Sequence, residues 1–184
     1  MKIDYSERMV TWEWDGSEIK IELPDIIHAE YNKDENIIIV YSGENFVSKI
    51  IFYFNLEGKL LGQQNLLEGT LEWNHNGQHQ IGFPHLHHLR FSPKYQRIFS
   101  IFRSSSDFDV PSELEIYNLE GERIDQIESP IGYTMMYISE ISKEKLRIVC
   151  EALKEDCFDK FGRRDFYFDV ELENRKWVKD GIAY

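Results

Sequence analysis

Five histidines, His75, His79, His85, His87 and His88, fall within fourteen residues, and His28 stands apart. In an extended segment alternate side chains share a face, so His85 and His87 would point the same way, a geometry that can hold Zn²⁺ or another transition metal. A catalytic metal needs a third protein ligand, and His75, His79, Asp107 or Asp109 could supply it. An open position on that metal would make bound water acidic enough to attack an ester or amide, the chemistry of a metal-dependent hydrolase or lyase. Against this, His-x-His is a short pattern, and the His-Glu-x-x-His spacing of zinc proteases is absent. His87 and His88 open an expected strand, where one must face inward and the other outward, as hydrogen-bonded structural histidines do. The expectation is therefore no cofactor, with zinc as the alternative.

Other catalytic constellations are thinner. The chain has no Gly-x-Ser-x-Gly elbow, no phosphate-binding Gly-x-x-x-x-Gly-Lys-Ser/Thr loop and no Gly-x-Gly-x-x-Gly dinucleotide fingerprint. Ser104, Ser105 and Ser106 lie beside Asp107 in a polar stretch that assigns them no histidine partner. Of two cysteines, Cys150 sits in the apolar run Leu-Arg-Ile-Val-Cys and reads as core. Cys157 reads as a loop residue among Glu155, Asp156 and Asp159, carboxylates that disfavour a thiolate nucleophile. Neither belongs to a Cys-x-x-Cys pair, and a reducing compartment would leave both as thiols.

Acidic residues and phenylalanines gather in two long connections. One carries Asp107, Phe108 and Asp109, and the other Glu155, Asp156, Phe158 and Asp159, with Phe161 beyond. Aromatic anchors ringed by carboxylates suit a protein-binding face, because the rings supply contact energy and the charges steer a cationic partner. Those seven residues, Asp107 to Asp109 and Glu155, Asp156, Phe158 and Asp159, are the candidate partner-binding face. Trp12, Trp14 and Trp73 offer a separate option, stacking platforms for a carbohydrate or small ligand, although core or strand-packing roles account for them better.

The charge balance sharpens the partner class. Lysine plus arginine number 21 against 33 aspartate plus glutamate, a formal charge of −12, which repels nucleic-acid phosphates and anionic lipid and favours a basic protein partner. The first residues, Met-Lys-Ile-Asp-Tyr-Ser, lack the apolar run of a signal peptide, and no stretch approaches the ~20 apolar residues of a membrane span, so the expected location is cytoplasmic.

The elements that must position these residues read as strands. Asn36 to Ser42 and Ser48 to Phe54 are β-branched and aromatic runs bounded by Gly, Asn and Ser, too continuously apolar to be half-exposed. The segment Tyr53-Phe-Asn-Leu-Glu-Gly-Lys-Leu returns as Ile116-Tyr-Asn-Leu-Glu-Gly-Glu-Arg and, more weakly, as Tyr167-Phe-Asp-Val-Glu-Leu-Glu. Aligned, Asn55, Asn118 and Asp169 stand 63 and 51 residues apart, a period of multi-strand repeats. Gly58 and Gly121 can take the positive φ of a hairpin turn, whereas Leu172 replaces that glycine in the third copy and predicts another turn geometry there.

The stretch Leu89-Arg-Phe-Ser-Pro-Lys-Tyr-Gln-Arg-Ile resembles the first-hairpin segment of β-propeller blades of the WD-repeat and periplasmic-translocation-protein type, in which an apolar-Ser-Pro turn precedes an apolar strand. The resemblance covers about ten residues and implies a fold class without an activity. The Gly-His signature of WD repeats is missing. The resulting expectation is a single all-β domain over 1–184, a small propeller-like array of four-stranded antiparallel repeats at roughly 25–66, 86–128 and 132–180. A β-sandwich built of the same meanders is the alternative. The expected function is a non-enzymatic protein-binding module, in its most concrete form an acidic immunity- or antitoxin-like inhibitor of a basic protein toxin.

Overall fold

The computed structural model describes residues 1–103, 105 and 110–183. The chain is all-β and builds four antiparallel sheets, with two compact units, Met1–Gly82 and Phe83–Tyr184. In the first unit β1 (Ile3–Tyr5), β2 (Met9–Trp14) and β3 (Ser17–Glu22) form a three-stranded sheet. A six-stranded sheet follows from β4 (Ile26–Asn32), β5 (Ile37–Glu44), β6 (Val47–Phe54), β7 (Leu60–Asn65), β8 (Thr70–Asn74) and β9 (Gln78–Gly82). The stretch following Leu67 supplies β8 and β9, so this sheet carries six strands rather than four. The second unit holds two four-stranded meanders. One comprises β10 (Leu86–Ser92), β11 (Arg97–Phe102), β12 (Glu113–Asn118) and β13 (Arg123–Glu128); the other comprises β14 (Tyr133–Ile141), β15 (Lys145–Ala152), β16 (Asp165–Glu171) and β17 (Trp177–Ile182). Four sequential antiparallel strands are the connectivity of a propeller blade.

Residue pattern explains which strands are central. Ile37, Ile38, Ile39 and Val40 of β5 are at most 6% exposed, so both faces of that strand are covered, as its unbroken apolar run requires. Each such aliphatic side chain contributes about 1.5–3 kcal/mol when removed from water. The first unit closes its core with Val10 and Trp12 of β2 packed with Ile38, Val40, Phe52 and Phe54. Trp12 also donates its indole N–H to the Leu56 carbonyl at 2.7 Å, which satisfies a buried donor and ties β2 to the β6–β7 turn.

That turn is one of two copies of the same device. Asn55 Oδ1 accepts the Lys59 N–H at 2.7 Å while the Asn55 carbonyl accepts the Gly58 N–H at 3.1 Å. Asn118 repeats this with the Glu122 N–H at 2.8 Å and the Gly121 N–H at 3.2 Å. Gly58 has φ +84, and a Cβ there would lie 2.8 Å from Ile19 Cγ2, so glycine is required both by conformation and by space. The third copy departs from the alignment. Asp169 lies inside β16, and the hairpin closes further on, where the Arg175 N–H donates to the Glu171 carbonyl at 2.8 Å with Arg175 at φ +57.

In the second unit both meanders share one core, Phe99, Ile101, Leu114 and Ile116 meeting Met135, Ile138, Leu146, Ile148, Phe166 and Phe168. A buried polar knot pins them. Ser112, fully buried ahead of β12, accepts the Met135 N–H at 2.6 Å, donates to the Met135 carbonyl at 3.0 Å and receives the Ser129 hydroxyl on its own carbonyl at 2.5 Å. Trp177 of β17 donates its indole N–H to the Glu128 carbonyl at 3.2 Å, joining the last strand to the end of β13. No helix among the described residues is long and apolar enough to cross a membrane.

Candidate functional site

The histidines separate into distinct local settings. His75 and His79 flank the β8–β9 hairpin, where the His79 ring stacks on Trp73 at 5.3 Å and its Nε2–H donates to the His75 carbonyl at 2.7 Å. His85 precedes β10 with φ +51, and the register of β10 shifts between Leu86 and His88, so the segment from 85 to 88 is not regular extended backbone. The alternation that would put His85 and His87 on one face is thereby interrupted. His87 is exposed, its pKa lowered by desolvation and then by the Arg103 guanidinium. His88 is pushed down to about 4, chiefly by burial and then by Arg90 and His87, and its ring stands edge-on to Tyr137 at 6.3 Å. Its Nε2 is buried without a hydrogen-bond partner among the described residues, consistent with a neutral ring at pH 7.

Among the described residues no three His, Cys, Asp or Glu side chains come together as a metal site. Asp107 and Asp109, the acidic partners that the sequence offered to His85 and His87, lie outside the described residues, as does Phe108. Trp12 and Trp73 are 3% and 1% exposed and serve the core, which leaves Trp14 as the exposed member of the tryptophan group. Burial raises the Cys150 thiol, in keeping with a core cysteine. Cys157 is half-buried, its carbonyl accepting the Tyr133 hydroxyl at 3.3 Å.

The described functional candidate with the most definite construction is the connection between β15 and β16. It leaves β15 through a single 3₁₀ turn, Glu155–Cys157, with Glu155 and Asp156 exposed and no buried residue. Phe158 then packs against the core of the second unit, and the Arg164 guanidinium lies 4.8 Å from its ring centre. Asp159 organises the rest. Its Oδ1 accepts the backbone N–H groups of Phe161 and Arg163, both at 2.8 Å, and its Oδ2 accepts Arg163 Nε–H at 2.7 Å. The Asp159 carbonyl accepts the Gly162 N–H at 3.0 Å, closing a tight turn, and Gly162 takes φ +76. Desolvation works to raise the pKa of Asp159, but the hydrogen bonds from Arg163 and Phe161 outweigh it and hold the carboxyl below the ordinary value.

Four of the seven residues expected to form the binding face thus lie in one described loop, with differing duties. Glu155 and Asp156 face solvent, Phe158 is a packing residue, and Asp159 is engaged by its own loop. Phe161, left out of the expected face, is 70% exposed at the tip, with Lys160 Nζ 4.9 Å and the Arg163 guanidinium 5.1 Å from its ring centre. The signal for it was present in the run Lys-Phe-Gly-Arg-Arg at 160–164, three cations about a glycine turn.

A cavity of about 660 Å³ lies in the second unit, floored by Ile116 and Leu172 and rimmed by Arg97, Lys143, Glu144 and Glu171. Charges of both signs surround it. The hydroxyl of Ser142 there donates to the Lys145 carbonyl at 2.9 Å, a turn contact rather than a link to a base.

No known family model matches the chain. No curated protein matches it. Among solved structures it is similar to the N-terminal domain of Nup159, with a TM-score of 0.43 and 9% identity over 97% of this chain and 57% of that one. It is similar also to a protein of unknown function from Bacteroides caccae, with a TM-score of 0.43 and 14% identity over 96% and 55% of the two chains. A chain in the S. cerevisiae assembly of Dbp5 with Nup159 and Gle1 gives a TM-score of 0.39 and 10% identity over 97% and 60%. The chain spans a little over half the length of each of these structures.

Proposed function

We propose that the chain is a non-enzymatic module that binds another protein through the connection between β15 and β16. The observation that carries this reading is a loop whose backbone is held by the Asp159 carboxylate while Phe161 stands 70% exposed at its tip. A preorganised loop loses little freedom on binding, and an exposed aromatic ring has contact area that the fold itself does not use. Glu155 and Asp156 belong to the same loop, and Asp107, Phe108 and Asp109, of the connection between β11 and β12, are proposed as a second contribution.

The overall charge of −12 favours a basic protein as partner and disfavours nucleic acid and anionic membrane. In its concrete form the reading is an acidic inhibitor of the immunity or antitoxin kind, acting in the cytoplasm against a basic protein. The test is capture from native lysate on the immobilised chain without a polyhistidine tag, identifying proteins that bind at low salt and leave at high salt. A basic protein whose retention falls on Glu155→Lys with Asp156→Lys supports the reading; no retained protein, or one indifferent to both changes and to salt, rejects it.

A further inference from the structure

The loop that presents Phe161 has a charge opposite to that of the chain. Residues 160–164 hold Lys160, Arg163 and Arg164 and no carboxylate, in a protein of formal charge −12. Arg163 is paired with Asp159 at 2.7 Å. Lys160 and Arg164 make no ion pair among the described residues; they lie over aromatic rings, Lys160 on Phe161 at 4.9 Å and Arg164 on Phe158 at 4.8 Å. Both cations are exposed, as is the ring between them.

We infer that residues 160–164 form a cationic finger that takes an acidic peptide segment of the partner, Phe161 entering an apolar contact while Lys160 and Arg164 meet flanking carboxylates. This rests on the reading of the chain as a protein-binding module and adds the local chemistry of the partner. The finger is built before binding: the Asp159 carbonyl, its Oδ1 and the positive φ of Gly162 fix the turn, so Phe161 is held out without help from a ligand. The surrounding negative charge sharpens the selection, because a uniformly acidic partner is repelled at long range while one with a local acidic segment is drawn to this one place. A single-stranded nucleic acid would present stacking bases and phosphates to the same groups, but the net charge opposes its approach.

The test selects from a displayed library of random twelve-residue peptides on the full chain at low ionic strength, in parallel with binding of oligo(dT). The expected peptides carry an apolar residue beside two or more Asp or Glu. Phe161→Ala, and Lys160→Glu with Arg164→Glu, each weaken the selected peptides at least ~10-fold, with the far-ultraviolet spectrum and melting unchanged. Phe161→Leu retains most of the affinity. Peptides that bind the variants as tightly as the parent overturn the inference and leave the binding-module reading in place. No selected peptide overturns the inference, and joined with an empty lysate capture removes the broader reading as well. Oligo(dT) binding lost on Phe161→Ala assigns the finger to nucleic acid and overturns it too.

Discussion

Arg147 of β15 and Asp169 of β16 face each other across paired strands, Arg147 Nε–H donating to Asp169 Oδ1 at 2.9 Å and Nη2–H to Oδ2 at 3.3 Å. Lys145 reaches the same carboxylate at 2.8 Å, and Arg147 continues to Asp180 at 2.5 Å. The Arg147 hydrogen bonds, and then Lys145, outweigh desolvation and hold the Asp169 pKa below the ordinary carboxylate value. A depressed folded-state pKa adds stability that is present above the unfolded value of about 3.9 and is lost as pH falls through the folded one. Asp169→Asn is expected to cost about 1 kcal/mol at pH 7, allowing for solvent screening, with the difference from the parent shrinking below pH ~4. Urea unfolding at several pH values measures this; a difference that persists at the acid end would show that Asp169 acts through packing.

His88 gives a second, separate pH dependence. With its pKa pushed down to about 4 in the folded chain against about 6.5 unfolded, the unfolded state takes up a proton that the folded state refuses. Stability is therefore full above pH ~6.5 and declines as pH falls from about 6.5 to about 4, on the order of 3 kcal/mol at most. His88→Phe keeps a ring against Tyr137 and removes the unpartnered Nε2. That variant is expected to flatten the slope in this window without loss of stability at pH 7, as read from melting temperature against pH.

Ser112 is expected to be the costliest hydroxyl to remove. Ser112→Ala strands the buried Met135 N–H, which Ser112 Oγ now meets at 2.6 Å, and should destabilise by about 2 kcal/mol. Denaturant midpoints of parent and variant decide it. A change below ~0.5 kcal/mol would mean that water or a neighbouring hydroxyl replaces the bond.

Gly58→Ala places a Cβ at φ +84 and 2.8 Å from Ile19 Cγ2. The left-handed conformation alone costs an alanine about 1–2 kcal/mol, and the Ile19 side chain must also shift. The expected loss is about 2 kcal/mol by denaturant unfolding, and Gly58→Asn, which tolerates that conformation better, should lose less than a comparison of side-chain sizes implies.

The contrast between Gly58 and Asp169 shows where the sequence was readable. The Asn55 and Asn118 turns are local: an amide side chain, a glycine and the hydrogen bonds between them lie within five residues, so the repeated letters carry the repeated geometry. Asp169 aligns with the same asparagines, yet its carboxylate is held by Arg147 from the preceding strand, more than twenty residues away; Leu172 in place of the glycine signals a different turn, but nothing local places it at Glu171. The link from Trp12 to Leu56 was invisible for the same reason, since 44 residues separate donor and acceptor. In the candidate loop a sum of charges hides the arrangement: Asp159 is engaged by Arg163, four residues on, and the cations at 160–164 disappear into a net charge of −12.

All paired strands in the four described sheets are consecutive in sequence. Even the two long connections, between β11 and β12 and between β15 and β16, join neighbours in one sheet, so the entropy lost in closing them is small compared with that of folds whose partners lie far apart. A chain emerging from the ribosome can finish each sheet before the following one has been synthesised, in the order in which it is translated. Assembly that proceeds in this way exposes few unpaired edges at any moment, which limits the time during which the apolar runs of β5, β11 and β15 are open to aggregation.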